Sequence, residues 1–505
     1  MSNTEVSYKT KNKGSSLAEG FLYWHVRTPH AIAINTNEIS YTYNELYKIS
    51  STIYSKIKYR EDEIIAIQCV NDVRSYAALL AVSYIGAAYL PLNIKFPLEK
   101  LKNTITDAGV KTVLCFNDDL QSIIDASKQQ LIKVEDKTSE LIEQEVNLKN
   151  NSSLAYILYT SGSTGKPKGV PVSKENVNAF FNYFLSEYDF NKEDKFLQAY
   201  ELSFDVSVFS VFCAWNVGAS VYVVPESKAK HFEIINTIKK HQLTVTSMVP
   251  SVLNLLEKYF SEFNFPFVRY SFFSGDSLLH SLATKWKKCL PKGVIHNFYG
   301  PTETTIVCTR YVWDENTSAK ESKNDIVPLG VPFPNMKFVL LNENHKTIEN
   351  TNEAGELCFE GIQVIKNYLN TTSEENFILI NNKRYYKTGD IASLNKNKNL
   401  IFHGRKDAQV KINGYRVELA EIENAINNHF NLNAKAIVIA KNGLNQICTF
   451  VESVDSRAGI ELKEKLVKLI PYYMIPSFIV VIDKIPLSIN GKVDVEKLKT
   501  MVTNS

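Results

Sequence analysis

No stretch of the 505 residues approaches the ~18 uninterrupted apolar positions that span a bilayer, so no transmembrane helix is expected. The polar first twenty residues carry no apolar segment of signal-peptide type. Cysteine is scarce: seven residues (Cys69, Cys115, Cys213, Cys289, Cys308, Cys358 and Cys448) stand singly, mostly within apolar runs. An odd, scattered set argues against a disulfide frame or a thiolate metal site, so reduced thiols in a cytoplasmic protein are expected. Charge of one sign is missing as well. With 57 basic against 54 acidic residues the net charge is only +3, without the basic excess of a nucleic-acid binder. Internal repeats and long low-complexity tracts are absent. What remains is a composition of 44% hydrophobic and 22% charged residues, that of a globular protein with two or more domains at this length.

Apolar runs of strand length alternate with helix-length segments. Residues 64–70, 111–116, 219–224, 244–249 and 270–273 read as buried strands, and 72–86 reads as a helix. This alternation predicts parallel sheets covered by helices. From about residue 330 the spacing shortens and turn residues multiply, as in a β-rich subdomain. The segments 385–390 and 400–403 read as the last hairpin of a large body. After Gly404-Arg405-Lys406-Asp407 come an amphipathic helix over 417–429 and a strand over 435–440. The fold class expected is α/β: a large N-terminal domain with parallel-sheet subdomains plus a β-rich subdomain, and a small mobile α+β C-terminal domain.

Four features carry chemistry. The string Tyr159-Thr-Ser-Gly-Ser-Thr-Gly-Lys-Pro-Lys-Gly169 offers hydroxyls, lysines and permissive glycines to a polyanion. It is not a Walker A loop, because Pro167 follows Lys166 and the glycine spacing differs. Asp205 precedes an apolar run and taken alone reads as a helix N-cap. Asp390 follows Gly389 and alone reads as a turn residue. Lys492, in Ile489-Asn-Gly-Lys-Val-Asp494, alone reads as an exposed lysine.

The eleven-residue string resembles the phosphate loop of the adenylate-forming enzymes, which include acyl-CoA ligases, luciferases and nonribosomal peptide adenylation domains. Six further motifs follow the family's order: Tyr84-Ile-Gly-Ala-Ala-Tyr-Leu-Pro-Leu-Asn93, Asn297-Phe-Tyr-Gly-Pro-Thr-Glu303, Tyr386-Lys-Thr-Gly-Asp390, Gly404-Arg-Lys-Asp407, Val410-Lys-Ile-Asn-Gly-Tyr-Arg-Val-Glu418 and Asn490-Gly-Lys492. The resemblance implies ATP and Mg²⁺ as cofactors. It divides the chain into residues 1–405, a large ATP- and amino-acid-binding adenylation domain, and 406–505, a small lid domain carrying the catalytic lysine. It implies that Thr160, Ser161, Gly162, Ser163, Thr164 and Lys168 hold phosphates, and that Glu303 with Thr302 places the metal ion. By the same resemblance Asn297, Tyr299 and Gly300 form the adenine site, Asp390 with Arg405 binds ribose, and Asp407 is the hinge. Lys492 would bridge the substrate carboxylate and the α-phosphate. Gly414 would approach a pantetheine arm after the small domain turns.

In Ser203-Phe-Asp-Val-Ser207, Asp205 matches the aspartate with which amino-acid-activating members hold the substrate ammonium. Val206, Phe209, Ser247, Phe272, Ser274, Phe298, Ile306 and Val307 align with the side-chain pocket, and the three phenylalanines imply a small neutral side chain. The implied activity is an AMP-forming amino acid–carrier protein ligase of nonribosomal peptide type that loads the phosphopantetheine thiol of a separate carrier protein. The alternative is D-alanine–D-alanyl carrier protein ligase, which Gly169-Val-Pro-Val-Ser-Lys-Glu-Asn176 resembles, although Ser274 stands where those ligases carry cysteine. An acyl-CoA ligase is a further alternative that Asp205 disfavours. Phe273-Ser-Gly-Asp-Ser-Leu-Leu279 resembles a phosphopantetheine attachment motif, but its place among the pocket segments makes Ser277 structural.

Overall fold

The computed structural model describes residues 16–134, 145–162, 167–372, 374–407, 409–441, 444–453, 458–487 and 493–503. Its body is built on two mixed sheets. The larger has nine strands, in the order Val331–Pro332, Thr309–Val312, Val294–Tyr299, Tyr270–Phe273, Val245–Met248, Lys195–Gln198, Ser220–Val223, Ile32–Thr36 and Ile39–Thr42. Neighbours from Val294–Tyr299 to Ile32–Thr36 are parallel, and antiparallel strands close both edges. The second sheet has six strands: Gln130–Lys133, Thr112–Cys115, Ile64–Cys69, Ala88–Asn93, Leu154–Thr160 and Lys168–Ser173, of which only the last is antiparallel to its neighbour. Parallel neighbours need crossover connections, which is why strand and helix patterns alternate along the sequence. The five expected strands are present with ends shifted by no more than a residue or two.

Local chemistry starts the helices that pack these sheets. Asp72 accepts the Arg74 N–H at 2.8 Å and opens the helix Val73–Tyr84, which is buried along nearly its whole length. A capping box between Ser173 and Asn176 opens Lys174–Glu187, whose buried face carries Phe180, Phe181 and Phe184. Val206–Asn216 is apolar on all sides and buried accordingly. These three helices share one continuous core with residues from both sheets.

Five antiparallel strands, Met336–Leu341, Gly355–Gly361, Phe377–Ile380, Lys383–Leu394 and Leu400–Arg405, form the β-rich subdomain. Beyond Arg405 come the hairpin Gln409–Ile412 and Tyr415–Glu418, the helix Leu419–Phe430, and a three-stranded sheet of Ala434–Lys441, Leu444–Glu452 and Phe478–Ile482. Apolar residues here, among them Val417, Ile422, Val451, Leu466 and Met474, cluster with each other and apart from the main core. All seven cysteines are unpaired, and among the described residues no helix is long and apolar enough to cross a membrane.

Candidate active site

A cavity of about 530 Å³ lies at the carboxyl ends of the parallel strands, between the nine-stranded sheet, the end of Leu154–Thr160 and the hairpin of residues 409–418. Tyr200, Val249, Ser274 and Gly300 line it, each just beyond the end of a strand. Loops at that end of parallel strands are where α/β sheets bind ligands, because side chains from several strands converge there.

Thr160 and Lys168 pair across two antiparallel strands, so the phosphate string leaves and re-enters the sheet at one place. Thr160 and Ser161 line the main cavity. Together with Gly162, Lys168 and Glu303 they also line an adjoining cavity of about 160 Å³. The Lys168 ammonium sits 5.2 Å over the Tyr368 ring. Ser163, Thr164 and Lys492 lie outside the described residues.

Glu303 occupies the short turn Thr302–Thr304 and is only 1% exposed. Its carboxylate accepts the Tyr368 hydroxyl at 2.8 Å and Arg416 Nη1 at 2.9 and 3.1 Å. Burial pushes its pKa up, but the Arg416 charge together with the backbone, Tyr368 and Arg416 hydrogen bonds holds it below the ordinary carboxylate value. Beyond the turn, Thr305 and Ile306 adopt φ of 61° and 67°, a strained conformation for a β-branched side chain. Fully buried Gln363 supports that strain by donating to the carbonyls of Thr304, Thr305 and Val307 at 3.2, 3.3 and 3.0 Å.

Tyr299 ends its strand at the cavity wall, where its hydroxyl donates to Asp390. Arg405 Nη1 donates to the other Asp390 oxygen at 2.6 Å, and the same guanidinium binds Asp407 through Nε and Nη2 at 2.8 Å each. The expected ribose carboxylate and hinge aspartate thus share one arginine. A Cβ on Gly300 would lie 2.6 Å from Val307 Cα, so only glycine lets these two backbone segments meet. Asn297 does not reach the cavity wall. It shares a strand face with Tyr299 but lies farther from the strand end, and its Nδ2 donates to the Pro328 carbonyl at 2.9 Å.

Asp205 stands just before the helix Val206–Asn216, the position its N-cap reading requires, yet its side chain makes no capping bond. It is 8% exposed, lines the cavity and accepts a hydrogen bond from Thr302. Burial pushes its pKa up to about 7; the Thr302 bond opposes that shift and the Glu303 charge adds to it. No cation of the described residues pairs with it. Val206, Ser274, Ile306 and Val307 line the same cavity. Phe209, Phe272 and Phe298 do not: they stand behind that wall, packed on one another at 5.2 and 5.6 Å and on Phe184 at 5.1–6.2 Å. Their side chains occupy the sheet face covered by helices Lys174–Glu187 and Val206–Asn216. Ser247, paired in register with Phe272, is also behind the wall.

Sequence reasoning missed Gln363, Tyr368, Arg416 and Phe184. A polar residue in the apolar segment after Gly355–Gly361 was the one available signal for Gln363. Arg416 lay inside a recognised motif without a role. Ser277 lies on the turn between Tyr270–Phe273 and the helix His280–Cys289, its N–H bonded to Asp276, which fits a structural residue.

A string of hydroxyl and lysine side chains, a buried acidic turn and a carboxylate held by tyrosine and arginine around one cleft match an enzyme of the nucleotide-activating class. The chain belongs to the AMP-binding enzyme family, whose model matches residues 22–369. It is 31% identical to zwittermicin A synthase ZmaJ of Bacillus cereus over 93% of this chain and 92% of that protein. It is 32% identical to bacitracin synthase 2 of Bacillus licheniformis over 98% of this chain, which spans only 19% of that protein. Among solved structures, the Vibrio cholerae adenylation domain AlmE, in complex with glycyl-adenosine-5'-phosphate, superposes with a TM-score of 0.85 at 27% identity, over 97% of this chain and 98% of that one.

Proposed function

We propose that this chain activates a small neutral amino acid with ATP and passes the aminoacyl group to the phosphopantetheine thiol of a carrier protein. The observation that carries the reading is Asp205: a buried, non-capping carboxylate on the cavity wall that has no cationic partner among the described residues. Burying such a charge is costly unless a cation meets it, and a substrate α-ammonium supplies one. A fatty or aryl acid would leave it unpaired. The glycyl-adenylate bound to AlmE supports a small side chain at the equivalent cavity.

In the first half-reaction a substrate carboxylate oxygen bonds to the α-phosphorus of ATP and the bond to pyrophosphate breaks. An anion must approach a polyanion, so oriented donors and cations dominate the barrier. Thr160, Ser161, Gly162, Ser163, Thr164 and Lys168 hold phosphates, while Asp390, held in place by Arg405, accepts the ribose hydroxyls beside Tyr299. Glu303 fits a hard divalent ion: its buried charge is compensated only by a cation, and Mg²⁺ needs few protein ligands when phosphate oxygens complete its shell. When bound there, the ion neutralises developing phosphate charge. Among the described residues no cluster of three or more His, Cys, Asp or Glu forms a separate metal cage. Lys492, on residues 406–505, bridges substrate carboxylate and α-phosphate. Rotation of that small domain about Asp407 then brings Gly414 to the cavity, where the carrier thiol gives up its proton and bonds to the adenylate carbonyl carbon as the acyl–phosphate bond breaks and AMP leaves.

ATP–pyrophosphate exchange over D- and L-amino acids, fatty acids and aryl acids tests the reading. Exchange is expected with glycine, alanine or a similarly small amino acid and to fall at least a hundredfold in Asp205→Ala and Lys492→Ala. Exchange driven by free acids, or retained in Asp205→Ala, would overturn it. D-alanine as the preferred substrate would select the carrier-protein D-alanylation alternative.

A further inference from the structure

Arg416 occupies the phosphate end of the cavity in two ways at once. Its guanidinium holds Glu303 at 2.9 and 3.1 Å, and its own carbonyl accepts the Ser161 hydroxyl at 3.0 Å. One residue of the hairpin thereby takes a carboxylate and a phosphate-loop hydroxyl that the proposed function assigns to the metal ion and the nucleotide phosphates. The rest of the hairpin is seated to match. Lys411 and Gly414 line the main cavity, Tyr415 stacks on Tyr473 at 4.3 Å, and Tyr472 donates to Glu201 at 2.7 Å. Farther out, Lys100 pairs with Glu421 at 2.8 Å in a mostly buried contact.

Glu303 is the buried acid at the centre of this arrangement. It requires a positive partner, but two cations on one buried carboxylate would repel each other strongly at such separations. From this geometry we propose that Arg416 and a divalent cation are alternative partners of Glu303. Departure of the metal with pyrophosphate is then what frees Glu303 to receive Arg416 and seat the hairpin. Arg416 is a positioning residue: it acts through Glu303 and Ser161, and its charge replaces the ion's instead of adding to it. The same exclusion works in reverse, because a metal–nucleotide complex on Glu303 and Ser161 displaces the hairpin. Each order of binding sets the small domain without a further signal. The inference rests on the reading that Glu303 carries the metal.

Mn²⁺ titration of the full chain with the α,β-methylene analogue of ATP, whose α–β bridge cannot be cleaved, read by the electron paramagnetic resonance signal of the free ion, separates the two claims. Arg416→Gln removes the competitor and is expected to tighten apparent Mn²⁺ binding about tenfold. Arg416→Lys, which keeps a charge but not the forked geometry, is expected to tighten it by less. A merely structural arginine would give unchanged or weaker binding in both variants, and that result overturns the inference. Glu303→Gln is the control for the underlying reading and is expected to weaken Mn²⁺ binding at least tenfold. Unchanged binding in Glu303→Gln overturns the metal assignment and the inference with it. Weakened binding there, without tightening in either Arg416 variant, overturns the inference alone.

Discussion

Thr305 and Gln363 hold each other by backbone and side chain in both directions. The Thr305 hydroxyl donates to the Gln363 carbonyl at 2.6 Å, and the Gln363 amide returns a bond to the Thr305 carbonyl at 3.3 Å. Because Thr305 and Ile306 both sit at positive φ, this clasp keeps a strained turn in place between Glu303 and the cavity wall. Gln363→Ala is expected to destabilise the protein by about 1–3 kcal/mol by orphaning buried carbonyls, and to raise the amino-acid KM in pyrophosphate exchange. Thermal unfolding and exchange kinetics check both.

Amino-acid affinity should depend on the protonation of Asp205. Its folded pKa lies near 7, and only the carboxylate attracts an ammonium group. The KM for the amino acid is expected to level off above about pH 7 and to rise about tenfold per unit as pH falls below it. The KM for ATP should lack this step, which a pH series of exchange kinetics would show.

The same shift has a stability cost of the opposite sense. A carboxyl whose folded pKa is raised favours the folded state while protonated and loses that contribution as pH rises through about 7. Asp205→Asn imitates the protonated form. It is expected to stabilise the ligand-free protein by about 1–2 kcal/mol at pH 8–9, with little effect at pH 5, while abolishing amino-acid exchange. Unfolding midpoints at the two pH values decide it.

Phe298 backs the cavity wall with Phe209 and Phe272. Truncation to alanine is expected to cost about 3–5 kcal/mol and to extend the cavity behind Ile306 and Val307. Exchange should then appear with larger amino acids such as leucine or phenylalanine, relative to glycine or alanine.

Gly414 has φ of 85°, and a Cβ there would collide with Val249 Cγ1. Gly414→Ala is expected to slow aminoacyl transfer to a carrier thiol at least tenfold, since the left-handed backbone alone costs about 1–2 kcal/mol. Pyrophosphate exchange should stay within about twofold, because the proposed mechanism assigns the first half-reaction to the other orientation of the small domain. Separate assays of the two half-reactions test the difference.

Much of the site was legible in the sequence because it resides in contiguous strings. The Thr160–Lys168 pairing, the turn at Glu303 and the Asp390–Arg405 pair each follow from residues spaced for one strand end or one hairpin. Asp205 was legible as a residue but ambiguous as a role, since an N-cap and a ligand-binding carboxylate occupy the same position. Only the missing capping bond separates them. Asn297 shows the opposite case: it lies inside a motif, yet it sits back from the strand end and its side chain bonds to the Pro328 carbonyl.

The sequence by itself determined the alternation that demands parallel sheets, the seven ordered strings and the acidic residue before an apolar helix. These are local properties, set by periodicity and by short-range backbone chemistry. Tertiary structure alone decided that Arg416 meets Glu303 across 113 residues, that Gln363 clasps a turn 58 residues upstream, and that three phenylalanines stand behind the cavity wall. Those relationships depend on how separately formed elements pack. No spacing along the chain encodes a contact between a hairpin near residue 410 and a turn near residue 300.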